Sequence, residues 1–227
     1  MNILAFDTTT SYQSIALAKN NSIVSEIIIS GKRDHSKYLI PNIMKLLKEA
    51  DMQMSQLDAI STAIGPGSFT GIRISLSTAK GICFGLKKPL IDFSSLRSLA
   101  NNLNFFQGDL AIIMEAGRDE IYFSLFDSDL IQILKPKLTT LDEMISKIDK
   151  KTMIGGFLTE RLRKKIKNCS RSINIATPQY SYPRASSLID MIIQDNDYSN
   201  YKYNLEEISN LKPMYIRSSA AEERLKK

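Results

Sequence analysis

Gly65-Pro66-Gly67-Ser68-Phe69-Thr70-Gly71-Ile72-Arg73 is the stretch on which the reading of this chain turns. Glycines at 65, 67 and 71 free the backbone to take positive φ or to approach another segment closely. Ser68 can cap a helix by accepting from an amide two or three residues on. The spacing then predicts a helix from about Ser68 to Phe84. It carries two four-spaced sets of small residues, Gly71, Ser75 and Ala79, then Ser77, Gly81 and Gly85. Each set lies on one face, where a second helix can come close. The segment fits close packing inside a lobe, a helix–helix interface with another subunit, or an anion site at the helix N-terminus.

Outward from that segment the chain alternates in a regular order. Residues 2–6, Ser14–Ala18 and Ile23–Ile29 read as three strands separated by polar turns. Leu39, Ile43, Leu46, Leu47 and Ala50 recur at helical spacing, with Pro41 near the start. Asp58–Ile64 reads as a buried strand leading into Gly65, and Leu90–Phe93 as another after the helix. The order then repeats. Asp109–Met114, Glu120–Phe126 and Leu130–Leu134 read as strands, Leu141–Ile148 as a helix and Thr152–Ile154 as a strand ending in Gly155-Gly156. A basic helix over Thr159–Lys167 and a strand at Ile173–Ala176 complete the second round. Two β-β-β-α-β-α-β lobes in tandem predict an α/β protein with a cleft between them. The division expected is 1–100 for the first lobe, 101–217 for the second and 218–227 for a polar tail, with a helix at Ser186–Gln194 packing back on a lobe.

Composition narrows the class. Of 227 residues 43% are hydrophobic and 24% charged, enough for a packed core and too balanced for a disordered chain. The net charge of +6 is compatible with a nucleic-acid partner without requiring one. Two cysteines, Cys83 and Cys169, form no metal-type spacing and suit a reducing compartment. No run approaches the roughly 18–20 apolar residues of a membrane helix. The expectation is a soluble, cytoplasmic protein with no membrane contact.

Three further motifs admit chemistry. Asp7-Thr8-Thr9-Thr10 places an acid at a strand end before a hydroxyl-rich turn, where a phosphate or magnesium-bound water could be gripped. Thr9 stands where such turns usually have glycine, so its side chain should intrude and a simple hydroxyl-satisfied turn is the competing reading. His35 is the only histidine, so no His–His metal site can form and no metal or cofactor is expected. Arg161, Lys164 and Lys165 share a helical face within the run Arg161–Lys167, which suits either a phosphate-contact strip or a solvated face.

Asn2 through Thr10, Asp34-His35-Ser36 to Leu39-Ile40-Pro41, Gly65 through Arg73 to Gly81, Ser94-Ser95-Leu96 and Pro213-Met214-Tyr215-Ile216-Arg217 together resemble the TsaB (YeaZ) family. The second half resembles it more weakly, with Glu115-Ala116-Gly117-Arg118 where the family typically has Asp-Ala-Arg. The resemblance implies the actin, Hsp70 and sugar-kinase (ribonuclease H-like) type of fold. It also implies a non-catalytic scaffold or activator of tRNA threonylcarbamoyladenosine formation, paired with the catalytic paralogue TsaD and joined by the ATPase TsaE, with tRNA met indirectly. A homodimer through the same helices would be the alternative union. The pairing helices would map to about Ser36–Ala50 and Ser68–Phe84. The residues expected at the interface are Leu39, Ile43, Leu46, Leu47, Phe69, Ile72, Arg73, Leu76 and Lys80. Full burial of an apolar one among them would contribute about 1.5–3 kcal/mol. Asp7, Thr8 and Thr9 belong to the rival reading, a stand-alone ATPase or kinase. A peptidase is the poorest fit, since no nucleophile–base pair is evident.

Overall fold

The computed structural model describes residues 1–227 except 32–33, 118, 150, 170–173, 196 and 218–227, so the polar tail lies outside the described residues. The chain divides into two compact units, Met1–Ser98 with Pro183–Pro213, and Leu99–Tyr182 with Met214–Lys227. Each is built on a five-stranded mixed sheet.

In the first unit the strands are β1 (Ile3–Asp7), β2 (Tyr12–Lys19), β3 (Ser22–Ser30), β4 (Ala59–Ala63) and β5 (Leu90–Phe93), in the order β3-β2-β1-β4-β5. β1, β2 and β3 run antiparallel as a meander, and β4 and β5 add parallel to β1. The strand period of two divides β1 between two cores. Leu4 and Phe6, with Ile15 and Leu17 of β2, pack under α1 (His35–Glu49) and α2 (Phe69–Leu86). Ile3 and Ala5, with Ala16, Ala18 and Ala59, pack under α6 (Ala185–Asp195) through Leu188, Ile189 and Ile192. Both faces of β1 are covered, which is why all five of its residues are buried and why it reads as an unbroken apolar run.

α6 corrects the sequence division at residues 100 and 217. Its apolar face is the second cover of the first sheet, so residues 183–213 return to the first unit. Glu26 of β3 fixes its start, accepting from Arg184 Nη2 at 2.6 Å and from the Ser186 amide at 3.0 Å. The same stretch adds α7 (Leu205–Asn210), a two-turn helix that periodicity does not announce; Asn204 caps it. α3 (Ser95–Asn101) is likewise too short to be read from spacing.

The second unit holds β6 (Leu110–Gly117), β7 (Glu120–Phe126), β8 (Gln132–Thr140), β9 (Met153–Phe157) and β10 (Asn174–Ile175), in the order β10-β9-β6-β7-β8. α4 (Leu141–Ile145) and α5 (Glu160–Cys169) sit at the positions of α1 and α2, so the tandem repeat is real. Several boundaries differ from expectation; β6 runs past Met114 to Gly117, and β9 runs through Gly155 and Gly156 to Phe157. β8 continues through Pro136 to Thr140, which an edge strand tolerates because one row of its amides has no strand to bond. α4 stops at Ile145, short of the expected Ile148.

Candidate functional site

The turn between β1 and β2 and the start of α2 are one assembly. The Thr9 amide donates to Asp7 Oδ1 at 2.7 Å, and the Ser68 amide donates to the Thr9 carbonyl at 2.7 Å. The Thr8 hydroxyl donates to the Gly71 carbonyl at 2.7 Å, and the Ser95 hydroxyl reaches Thr9 Oγ1 at 3.2 Å. His35 Nε2 donates to the Thr10 carbonyl at 3.0 Å, tying the start of α1 to the same turn. Ser68 caps α2 by accepting from the Gly71 amide, as its sequence position predicts. A Cβ on Gly67 would stand 2.3 Å from the Thr9 carbonyl oxygen, so the turn and the helix start meet backbone to backbone. Asp7, Thr8 and Thr9 are fully buried. Burial raises the Asp7 pKa, against which the Thr9 amide and hydroxyl and the His35 charge pull down, and Asp7 Oδ2 has no hydrogen-bond partner.

The residues named for pairing divide sharply. Leu39, Ile43, Leu46 and Leu47 are the stripe by which α1 covers β1 and β2, and all are at most 2% exposed. Ile72 and Leu76 are buried too, at 1% and 5%. Their expected place at a partner surface is corrected: the core of the unit already holds these six side chains. Phe69 is half-buried under the Arg73 guanidinium, 3.9 Å from the ring centroid, and Arg73 is exposed. Lys80 donates to the Ser209 carbonyl at 2.8 Å and so holds α7 beside α2.

The faces that point out are the ones spacing left undecided. On α2 the set Gly71, Ser75 and Ala79 turns inward, while Ser77, Gly81 and Gly85 are exposed. A Cβ on Gly81 or Gly85 would meet nothing within 4 Å. On α1 Tyr38, Ile40 and Met44 are exposed, Met44 to 50%, and on α2 Phe84 is exposed. Ile40 and Met44 lie off the 39/43/46/47 stripe, and their only signal in the sequence is that they are apolar there.

In the second unit the basic run is partly engaged. Arg161 donates to Asp119 Oδ1 at 2.7 Å, and Lys165 pairs with the same carboxylate, holding the Asp119 pKa below its ordinary value. Arg163 donates to the Ala176 carbonyl at 2.7 Å and to the Ser181 hydroxyl. Lys164 and Lys167 stay exposed. At the turn between β6 and β7, Glu115 accepts from the Thr159 hydroxyl at 3.1 Å. Arg217 donates to the Ala116 carbonyl at 2.5 Å and pairs with Glu120.

Two repeated units of this topology define the actin-like class of α/β folds. The activator of the 2-hydroxyisocaproyl-CoA dehydratase from Clostridium difficile shares that fold, with a TM-score of 0.50 over 86% of this chain and 97% of its own, at 9% identity. Within the class, residues 22–185 match the family model described as TsaD, tRNA N6-adenosine threonylcarbamoyltransferase. The chain belongs to the TsaB (YeaZ) branch of that family. It is 30% identical, over 98% of its length and 96% of the relative's, to the tRNA threonylcarbamoyladenosine biosynthesis protein TsaB of Bacillus subtilis. A protein of the same name from Buchnera aphidicola subsp. Baizongia pistaciae is 28% identical over 94% of this chain and 97% of its own. A Pseudomonas aeruginosa protein described as similar to peptidase YEAZ has the same fold, with a TM-score of 0.78 over 95% of this chain and 99% of its own at 22% identity. Among the described residues no helix is long and apolar enough to cross a membrane.

Proposed function

We propose that this chain is a non-catalytic scaffold or activator subunit in the transfer of threonylcarbamoyl to N6 of the adenosine next to the tRNA anticodon. Its direct partner is a TsaD homologue that carries the chemistry, with a TsaE-type ATPase joining the complex and tRNA met through it. The observation that carries the reading is the outward face of α2. Ser77, Gly81 and Gly85 leave a strip of small residues there, and Ile40 and Met44 of α1 and Phe84 of α2 are exposed. A partner helix can lie close against such a strip, and the exposed apolar side chains supply area to bury. The same patch would serve a homodimer when the partner is absent.

The rival ATPase or kinase reading needs the β1–β2 turn to receive a phosphate. The Thr8 hydroxyl and the Thr9 amide are already bonded within the protein, and Gly71 and Gly67 stand against the Thr8 and Thr9 carbonyls. The test is a reconstituted modification reaction with purified TsaD and TsaE homologues, tRNA and threonylcarbamoyl-adenylate. The expected result is modification only when this chain is added, and a stable complex with the TsaD homologue. Equal modification without it would refute the reading. Saturable ATP binding by the isolated chain, lost in Asp7→Asn, would favour the rival.

A further inference from the structure

The pairing reading leaves open what fixes α2 in the orientation that a partner meets. We propose that Thr8 and Thr9 are positioning residues for pairing: the turn after β1 is the seat that sets the tilt and roll of α2. This rests on the assignment of the outward face of α2 to a partner.

Three hydrogen bonds converge on the seat, and a fourth ties Ser95 to the loop before α2. Thr8 Oγ1 donates to the Gly71 carbonyl at 2.7 Å, and the Ser68 amide donates to the Thr9 carbonyl at 2.7 Å. The Ser95 hydroxyl donates to Thr9 Oγ1 at 3.2 Å, and the Ser95 amide donates to the Gly65 carbonyl at 2.7 Å. Thr8, Thr9 and Ser95 are fully buried, so water does not compete for these groups. The approach has no slack, since a Cβ on Gly71 would lie 1.9 Å from the Thr8 carbonyl oxygen. One turn further along, the Thr62 and Ser75 hydroxyls meet at 2.5 Å and bind the inward face of α2 to β4. The helix is therefore held at its N-terminal end by polar contacts of fixed direction, which specify orientation as apolar packing does not.

Outward Ser77, Gly81 and Gly85 ride on the same helix, which spans Phe69–Leu86. At 1.5 Å rise per residue, a tilt of about 5° at the N-terminus carries Gly85 roughly 2 Å. A flat glycine strip gives a partner no long side chains to adapt, so a displacement of that size reduces the fit directly. The turn that resembles a phosphate grip thus does positional work for the interface.

The test uses the full chain and the TsaD homologue in titration calorimetry. Thr8→Val keeps the size of the side chain and removes the donor. Thr8→Ser restores the hydroxyl. Ile192→Val thins the core on the α6 face, away from α2, and controls for general destabilisation. The expected result is affinity weakened about tenfold by Thr8→Val, the scale of one hydrogen bond, with Thr8→Ser and Ile192→Val near wild type. Wild-type affinity in Thr8→Val would overturn the inference and leave the pairing reading intact. So would equal weakening by Ile192→Val. Failure of the wild-type chain to bind overturns both. Should Thr8→Val not fold, Ser95→Ala removes the bond to Thr9 and is read by the same criteria.

Discussion

The point where a Cβ on Gly71 would stand lies 1.9 Å from the carbonyl oxygen of Thr8. The helix that opens at Gly65–Arg73 thus touches the first hairpin turn with no side chain between. Alanine is the better helix former by about 1 kcal/mol, yet here the added methyl must displace either a strand end or a helix. Gly71→Ala is expected to lower stability by about 2–3 kcal/mol. A fall in the urea midpoint with an unchanged slope would show it; an unchanged or raised midpoint would mean that the contact is looser than described.

Gly81 is exposed on the same helix and gives the opposite sign. A Cβ there meets nothing within 4 Å. Gly81→Ala is expected to raise stability by about 0.5–1 kcal/mol, the ordinary helical preference. Gly81→Leu should fold as well and yet weaken binding of the TsaD homologue, because it fills the strip where a helix would lie. Thermal unfolding and calorimetry on the same samples separate the two effects. Tight binding by the leucine variant would remove this face from the interface.

Much of this arrangement is legible in the chain itself, and the exceptions have a common cause. β1 reads plainly because Ile3 to Phe6 are apolar on both faces. The stripe Leu39, Ile43, Leu46 and Leu47 is right as a helix and wrong as an interface: an amphipathic stripe is claimed first by the protein's own sheet. The two small-residue sets of α2 have the same period, so spacing shows that each shares a face but not which face the sheet covers. That depends on β4, which packs against α2 from residues earlier in the chain. The return of residues 183–213 to the first unit is equally nonlocal. Its cause is that Ala5, Ala16, Ala18 and Ala59 leave a shallow face on the first sheet for α6 to fill.

Leu76 and Met44 convert that correction into a measurement. Leu76 is 5% exposed and Met44 50%. Leu76→Asp buries a carboxylate without a partner and is expected to cost several kcal/mol, enough to unfold much of the population at 25 °C. Met44→Asp should change stability by no more than about 0.5 kcal/mol while weakening pairing. Circular dichroism and co-purification distinguish them. A folded Leu76→Asp chain would contradict the burial, and a fully pairing Met44→Asp chain would move the interface away from α1.

Asp7 gives the pH prediction. Its carboxyl is fully buried with Oδ2 unpartnered, and burial raises its pKa above the ordinary 3.8. In the unfolded chain the proton leaves near the ordinary value, whereas in the folded chain it is kept to higher pH. Between those two pKa values the native state binds more protons than the unfolded state, so stability falls as pH rises through that window and levels off above it. The contribution is fully present below about pH 4, the ordinary carboxyl value. Asp7→Asn keeps an acceptor for the Thr9 amide and removes the titration. The difference in unfolding free energy between wild type and Asp7→Asn should therefore shift in favour of the variant as pH rises from about 4 toward neutrality. Denaturant melts of both proteins across that range measure it. A difference that stays constant, or that favours wild type at higher pH, would mean that Asp7 is ionised in the fold and that its second oxygen has found a partner.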